Sequence, residues 1–155
     1  MTRFNMFENE LAGKFIKRFT AASRLIDDST LPKATQELVK IRASQINHCG
    51  MCLDMHTKDA AAAGETSVRL ALVAAWKEST VFTDAERAAL ALTEEGTRLA
   101  DASPGISEDT WAQVRKHYDD DQIGALISLI ATINTWNRLN VISGVTGGDY
   151  VPGQW

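Results

Sequence analysis

Apolar residues recur along this chain every three or four positions and almost nowhere in strict alternation, so its local structure is predicted to be helical. Leu11, Phe15, Phe19, Ala22 and Ile26 stand at helical spacing and predict a first helix from Glu8 to Ile26. The run DDSTLPK breaks it, and Ser29 or Thr30 is expected to cap a second helix with Pro32 in its first turn. That helix reaches Asn47, with Leu38, Ile41 and Ile46 as core candidates. A third is predicted from Cys49 or Gly50 to Gly64, where glycine suits the left-handed residue that ends many helices. GETSVRLALVAAWKES predicts a fourth, from Ser67 to near Trp76. In TDAERAALALTEEGTRLA a fifth opens with Thr83 and Glu86 at capping-box spacing. ASPG is the clearest loop signal, after which Ser107 starts a sixth helix through Val114. A long seventh covers Asp121 to about Val141, its start marked by the acids of YDDDQ.

With no repeat and no low-complexity block, these elements predict one all-α domain over residues 1–155. The closing SGVTGGDYVPGQW, from about residue 143, is expected to be an extended tail. In the seventh helix, Ile123, Leu126, Ile127, Leu129, Ile130, Ile133 and Trp136 cover well over half the circumference. Such a helix is buried on several sides. It is either the central core helix of a monomer or it turns part of its surface toward another subunit. Trp76, Trp111 and Trp136 are expected as core or interface anchors, Met51 and Met55 as flexible fillers, and His117 as a solvated helix-end residue.

Composition narrows the partners. Hydrophobic residues make up 45% of the 155, enough for a sizeable core, and the formal net charge of −4 lacks the basic footprint that neutralises phosphates. Nucleic acid is therefore not an expected partner. The opening MTRFNMFENELAGKF has charges and Asn where a secretory signal needs an apolar run. The longest apolar stretch, Ile123 to Trp136, is too short to span a bilayer. A cytoplasmic protein without a membrane partner is expected, and in a reducing cytosol a CxxC is more often catalytic or metal-binding than structural.

The only two cysteines lie in INHCGMCLDMHTKD. On a helix, Cys49, Cys52 and His56 form one stripe. Cys49 falls at the helix start, where unpaired N–H groups and the positive end of the dipole favour thiolate, the attacking species. His56 follows Cys52 by one turn, within reach of the thiol proton directly or through water. The cysteine beside the base is assigned the first attack, and Cys49 closes a disulfide once Cys52 is a sulfenic acid. On the preceding helix Glu37 shares a face with Ile41 and Ser44, so its carboxylate either emerges at the surface or is buried with a partner. If the two helices pack antiparallel through the turn at His48, Glu37 approaches His56, orients the imidazole and raises its basicity.

The segment QELVKIRASQINHCGMCLDMHTKDAAAAGE closely resembles the core of alkylhydroperoxidase D-like (AhpD-like) proteins, in the carboxymuconolactone decarboxylase superfamily. The family pattern of Glu, Cys, Cys and His falls on Glu37, Cys49, Cys52 and His56. LALVAAWKESTVFTDAERAALALTE and TINTWNRLNV extend the likeness over about residues 30 to 142. The resemblance implies an all-helical fold assembling as a homo-trimer or homo-hexamer. It also implies a thiol peroxidase in which Cys52 reduces a hydroperoxide, Cys49 closes the disulfide, and Glu37 with His56 relays protons. Its partners would be a small-molecule hydroperoxide and a thiol or dithiol reductant, with no cofactor and no metal. It further suggests that Trp136 lines the entrance to the thiols. The founding peroxidases carry a second His where this chain has Met51, and small residues where it has His48. Decarboxylases of the superfamily lack the cysteine pair, which argues against lactone decarboxylation here.

Other readings of the same residues stay open at this level. Cys49, Cys52, His56 and Glu37 supply four potential zinc ligands for a redox-sensing or metal module, although structural zinc sites usually draw on two separated pairs. Two inert buried thiols are the plainest alternative.

Overall fold

Side-chain caps start most of the helices, and in the computed structural model they do so at residues the sequence marks out. The structure describes residues 2–101 and 105–154, so Ala102, Ser103 and Pro104 of the expected loop, and both chain ends, lie outside the described residues. Within them run α1 (Glu10–Asp27), α2 (Lys33–Ile46), α3 (Gly50–Ala62), α4 (Ser67–Leu72), α5 (Asp84–Thr97), α6 (Glu108–His117) and α7 (Asp120–Ser143). The fold is all-α, as expected. Asn9 caps α1 by accepting from the Ala12 N–H, and Thr83 with Glu86 closes the expected capping box on α5. A second box, Asp119 with Gln122, starts α7 inside YDDDQ. Gly144 ends α7 in the left-handed conformation at φ 72°, and Gly64 follows α3 at φ 100°.

Three expectations need correction, and the apolar stripe of α1 proves only partly buried. Pro32 is itself the cap residue of α2, and neither Ser29 nor Thr30 bonds the first turn; the Gln36 amide instead donates to the Leu31 carbonyl at 2.8 Å. The fourth helix does not run as one α-helix to Trp76. It gives way after Leu72 to a 3-10 segment, Val73–Glu78, with Ala75 kinked at φ −121°, which drives Trp76 into the core. On α1 the buried positions are Ile16 and Ile26, whereas Leu11 (79% exposed) and Phe15 (46%) face outward from this chain. His117 is half-buried rather than solvated, and its Nε2 is enclosed without a hydrogen-bond partner.

α2 occupies the centre, with α3, α5 and α7 packed on it, α6 on α5 and α1 on α7. One apolar cluster joins Val39 to Leu92, Val114, Leu126 and Leu129; a second joins Leu38 and Ile41 to Val73, Trp76, Phe82 and Leu90. Between them Glu94 is a buried carboxylate with several cationic partners. Burial would raise its pKa, but donors from Lys77, Trp76 and Arg42 hold it at about 2, so α2, the 3-10 segment and α5 are locked around one charge. Ile127 stays half-exposed, so the apolar wrap of α7 is incomplete within one chain.

The tail is irregular but does not run free. Asp54 on α3 accepts from the N–H groups of Gly148 (2.6 Å) and Tyr150 (3.0 Å), and Lys58 donates to both of their carbonyls. Gly147 sits so close to α3 that an added Cβ would lie 2.4 Å from the Gly50 carbonyl oxygen. Among the described residues no helix is long and apolar enough to cross a membrane.

Candidate active site

The α2–α3 hairpin builds the site from two short stretches of chain. Asn47 ends α2, and His48 turns the backbone at φ 55°, a left-handed conformation that non-glycine residues adopt at some cost. The turn presents the Cys49 N–H to the Ser44 carbonyl at 3.0 Å. Cys49 then caps α3, its sulfur accepting the Cys52 N–H at 3.3 Å. Both sulfurs thus lie where the dipole and the free N–H groups of α3 favour negative charge. Cys49 and Cys52 are only 1% and 3% exposed and are joined as a disulfide, their Cα atoms 5.4 Å apart. The bridge spans three residues of separation, so it closes a small ring and constrains the unfolded chain least. A purely stabilising role would be a poor use of it.

Antiparallel packing of the hairpin brings Glu37 to His56, with Oε2 3.0 Å from Nδ1. The other carboxylate oxygen accepts from Lys40 at 2.9 Å, and Lys40 reaches Asp27 at 3.2 Å. Burial would raise the Glu37 pKa, but the His56 hydrogen bond and the charges of His56 and Lys40 prevail and hold it at about 2. An ionised carboxylate only accepts, so the proton of this hydrogen bond belongs to Nδ1. In neutral imidazole that leaves Nε2 with a lone pair, free to act as a base. His56 stands one turn beyond Cys52 on α3. Asp27, half-exposed, links the chain Glu37–Lys40 to the surface.

α7 closes the site from the other side. Asn140 donates from Nδ2 to the Cys52 sulfur at 3.4 Å. Asn137 donates to the Ser44 hydroxyl at 3.0 Å, and Asn47 donates to Asn134 (2.8 Å) and Asn137 (2.9 Å). Three asparagines at i, i+3 and i+6 therefore tie the end of α2 and the turn at Cys49 to α7. Met51 and Trp136 pack against the cluster that the two cysteines form with Ala43 and Ile133. Trp136 also donates from Nε1 to the Ser23 hydroxyl at 3.3 Å, and its ring lies 5.2 Å from that of Phe19.

Of the residues anticipated from sequence, Glu37 and His56 are in direct contact, and the two cysteines are joined. His48 is exposed and lines a separate polar cavity of about 500 Å³ with Arg42, Asn47, Arg98 and Arg138. Lys40, Asp27 and Asn140 were not anticipated. Lys40 carried a signal, being one turn from Glu37 on α2. For Asn140 the signal was a polar residue recurring every three positions in an otherwise apolar helix. Among the described residues, no three His, Cys, Asp or Glu side chains converge as a metal-ligand set.

Four similarities to known proteins follow. The model of the carboxymuconolactone decarboxylase family matches residues 11–95. YdfG, an uncharacterized protein of Bacillus subtilis strain 168, is 37% identical over 135 residues, covering 87% of this chain and 90% of that protein. Among solved structures, a protein of unknown function from Agrobacterium tumefaciens, suggested to be the antioxidant defence protein AhpD, superposes with a TM-score of 0.89. It is 31% identical, over 97% of this chain and 100% of that one. The debrominase Bmp8 shares the fold at a TM-score of 0.76 with 18% identity, over 88% of this chain and 74% of that one.

Proposed function

Since the chain belongs to the carboxymuconolactone decarboxylase family, and within that superfamily is AhpD-like, we propose that it is a thiol-dependent peroxidase reducing hydroperoxides through Cys52 and Cys49. The observation that carries this reading is a cysteine pair at a helix start, one turn from a histidine whose Nδ1 is held by an ionised glutamate.

In the reduced protein, His56 Nε2 takes the Cys52 thiol proton, directly or through one water. The N-terminus of α3 and the Asn140 amide stabilise the resulting thiolate. Its sulfur attacks the terminal oxygen of the hydroperoxide, the O–O bond breaks, and the leaving alkoxide takes the proton back from His56 as an alcohol. Cys52 is then a sulfenic acid. The Cys49 sulfur attacks it, releases water and forms the disulfide. Two electrons have passed from the thiols to the peroxide. A thiol or dithiol reductant returns them by exchange at the disulfide. No cofactor is required. A reducing cytosol would supply such a reductant. The outward Leu11, Phe15, Ile127 and Ile142 support assembly with further copies, as a homo-trimer or homo-hexamer.

The test is hydroperoxide consumption driven by excess dithiothreitol. Catalytic disappearance of peroxide, many equivalents per chain, is expected. A rate equal to that of dithiothreitol alone would remove the reading.

A further inference from the structure

A buried lysine stands beside the proposed base, and the reaction cycle gives it no part. Lys40 lies one turn beyond Glu37 on α2, and its side chain is only 14% exposed. An ammonium taken out of water costs free energy unless anions receive its donors. Here two do. Glu37 Oε1 accepts from Nζ at 2.9 Å, and Asp27 Oδ1, at the end of α1, accepts at 3.2 Å. Burial would lower the Lys40 pKa, but the charges of Glu37 and Asp27 prevail and raise it, so the ammonium persists wherever thiol chemistry runs.

Charges on the other elements packed against α2 have different partners. Asp54 and Lys58 of α3 pair with each other. Glu94 of α5 pairs with Arg42 and with Lys77 of the 3-10 segment, and Arg138 of α7 donates to Asn134. Lys40 therefore acts at contact on Asp27 and Glu37 and, through Glu37, on His56.

The Glu37 carboxylate is divided between two neighbours. Oε2 lies 3.0 Å from His56 Nδ1, and Oε1 is turned to the cation. Anchored at both oxygens, the carboxylate is held in rotation against the imidazole. The lysine charge also opposes a second proton on the ring. A buried carboxylate with imidazole as its sole partner would draw that proton, and the resulting imidazolium has no lone pair for a thiol proton.

We propose that Lys40 is a positioning residue that keeps His56 a neutral base, by balancing the charge of the carboxylate that orients it, and that Asp27 anchors Lys40 there from α1. The assignment deepens the peroxidase reading, whose first step needs an unprotonated Nε2. Its sign follows from charge alone: removing a cation beside the site favours every bound proton, so loss of Lys40 moves protonation of His56 to higher pH.

The disulfide form tests this apart from thiol ionisation, because its two sulfurs carry no proton. In that form the ring-proton NMR signals of the three histidines are followed against pH in the parent, Lys40→Met, Lys40→Gln and Lys40→Arg. His56 is expected to titrate at higher pH in both neutral variants and where the parent does in Lys40→Arg. His48, exposed and lining a separate cavity, is expected not to move. Lys40→Gln can still donate to Glu37 and carries the test if Lys40→Met does not fold. In the reduced protein, oxidation of Cys52 by hydrogen peroxide is expected to be about tenfold slower near pH 6 in the neutral variants, a deficit that closes as pH rises. An unmoved His56 in the neutral variants overturns the proposal, as does a Lys40→Arg displaced equally far or a rate deficit independent of pH. A displaced His56 without peroxide oxidation would uphold the role of Lys40 and sink the peroxidase reading; peroxide turnover with His56 unmoved would do the reverse.

Discussion

Cys52→Ser is expected to reduce dithiol-driven hydroperoxide consumption by more than about 10³-fold, to the rate of the reductant alone. The reason is chemical rather than structural. A serine hydroxyl has no accessible anion near neutral pH and no sulfenic acid state, so neither half of the cycle starts. The substitution changes little else: the site is 3% exposed, the side chains are similar in size, and Asn140 still finds an oxygen acceptor. Cys49→Ser differs in kind. Its Cys52 is still oxidised by one equivalent of peroxide, but the sulfenic acid then has no resolving thiol in the chain. A Cys52→Ser protein that consumes peroxide like its parent would show that the attacking sulfur has been misassigned.

Glu37→Gln is expected to slow Cys52 oxidation by about 10²-fold. The amide keeps the shape and removes the charge, so His56 loses the anion that fixes the proton on Nδ1 and leaves Nε2 as the acceptor. A glutamine can also offer its NH₂ to Nδ1, which would put the imidazole in the wrong tautomer. Stability carries a second signature, with a definite sign. Glu37 is held at about 2 in the folded protein against an ordinary 4.5, so its contribution is complete above pH 4.5 and is lost as pH falls toward 2. Measured by denaturant unfolding, the parent's advantage over Glu37→Gln should therefore be largest above pH 4.5 and shrink below it. An advantage independent of pH would mean that Glu37 does not bear the charge assigned to it.

Much of this site is legible in the sequence, because it is local. Glu37, Cys49, Cys52 and His56 lie on two consecutive helices, and a three-residue turn leaves those helices little choice but to pack antiparallel. The capping box at Thr83 was equally readable, since a cap is satisfied within its own turn, whereas YDDDQ was read only as an acidic helix start and not as the Asp119–Gln122 box it forms. What escaped notice depends on residues far apart in sequence. Asn140 reaches the Cys52 sulfur across 88 positions, and Asp54 clamps a tail 94 residues away. Lys40 takes part through Asp27 of α1, 13 residues away in sequence, as well as through Glu37 on its own helix. Periodicity alone does not say which side of α1 is buried: Leu11 and Phe15 fall on its apolar stripe yet are exposed in this chain. The 3-10 turn at Val73–Glu78 goes with a tertiary contact, the Trp76 Nε1 donating to Glu94 at 2.9 Å, that no local pattern announces.

The central claim is that Cys52 and Cys49 together carry two electrons to a peroxide, and a thiol count tests it most directly. The protein is fully reduced, freed of reductant, and its thiols titrated before and after one equivalent of cumene hydroperoxide. Two thiols per chain are expected before and none after, with one cumyl alcohol formed. Two thiols remaining after exposure would contradict it.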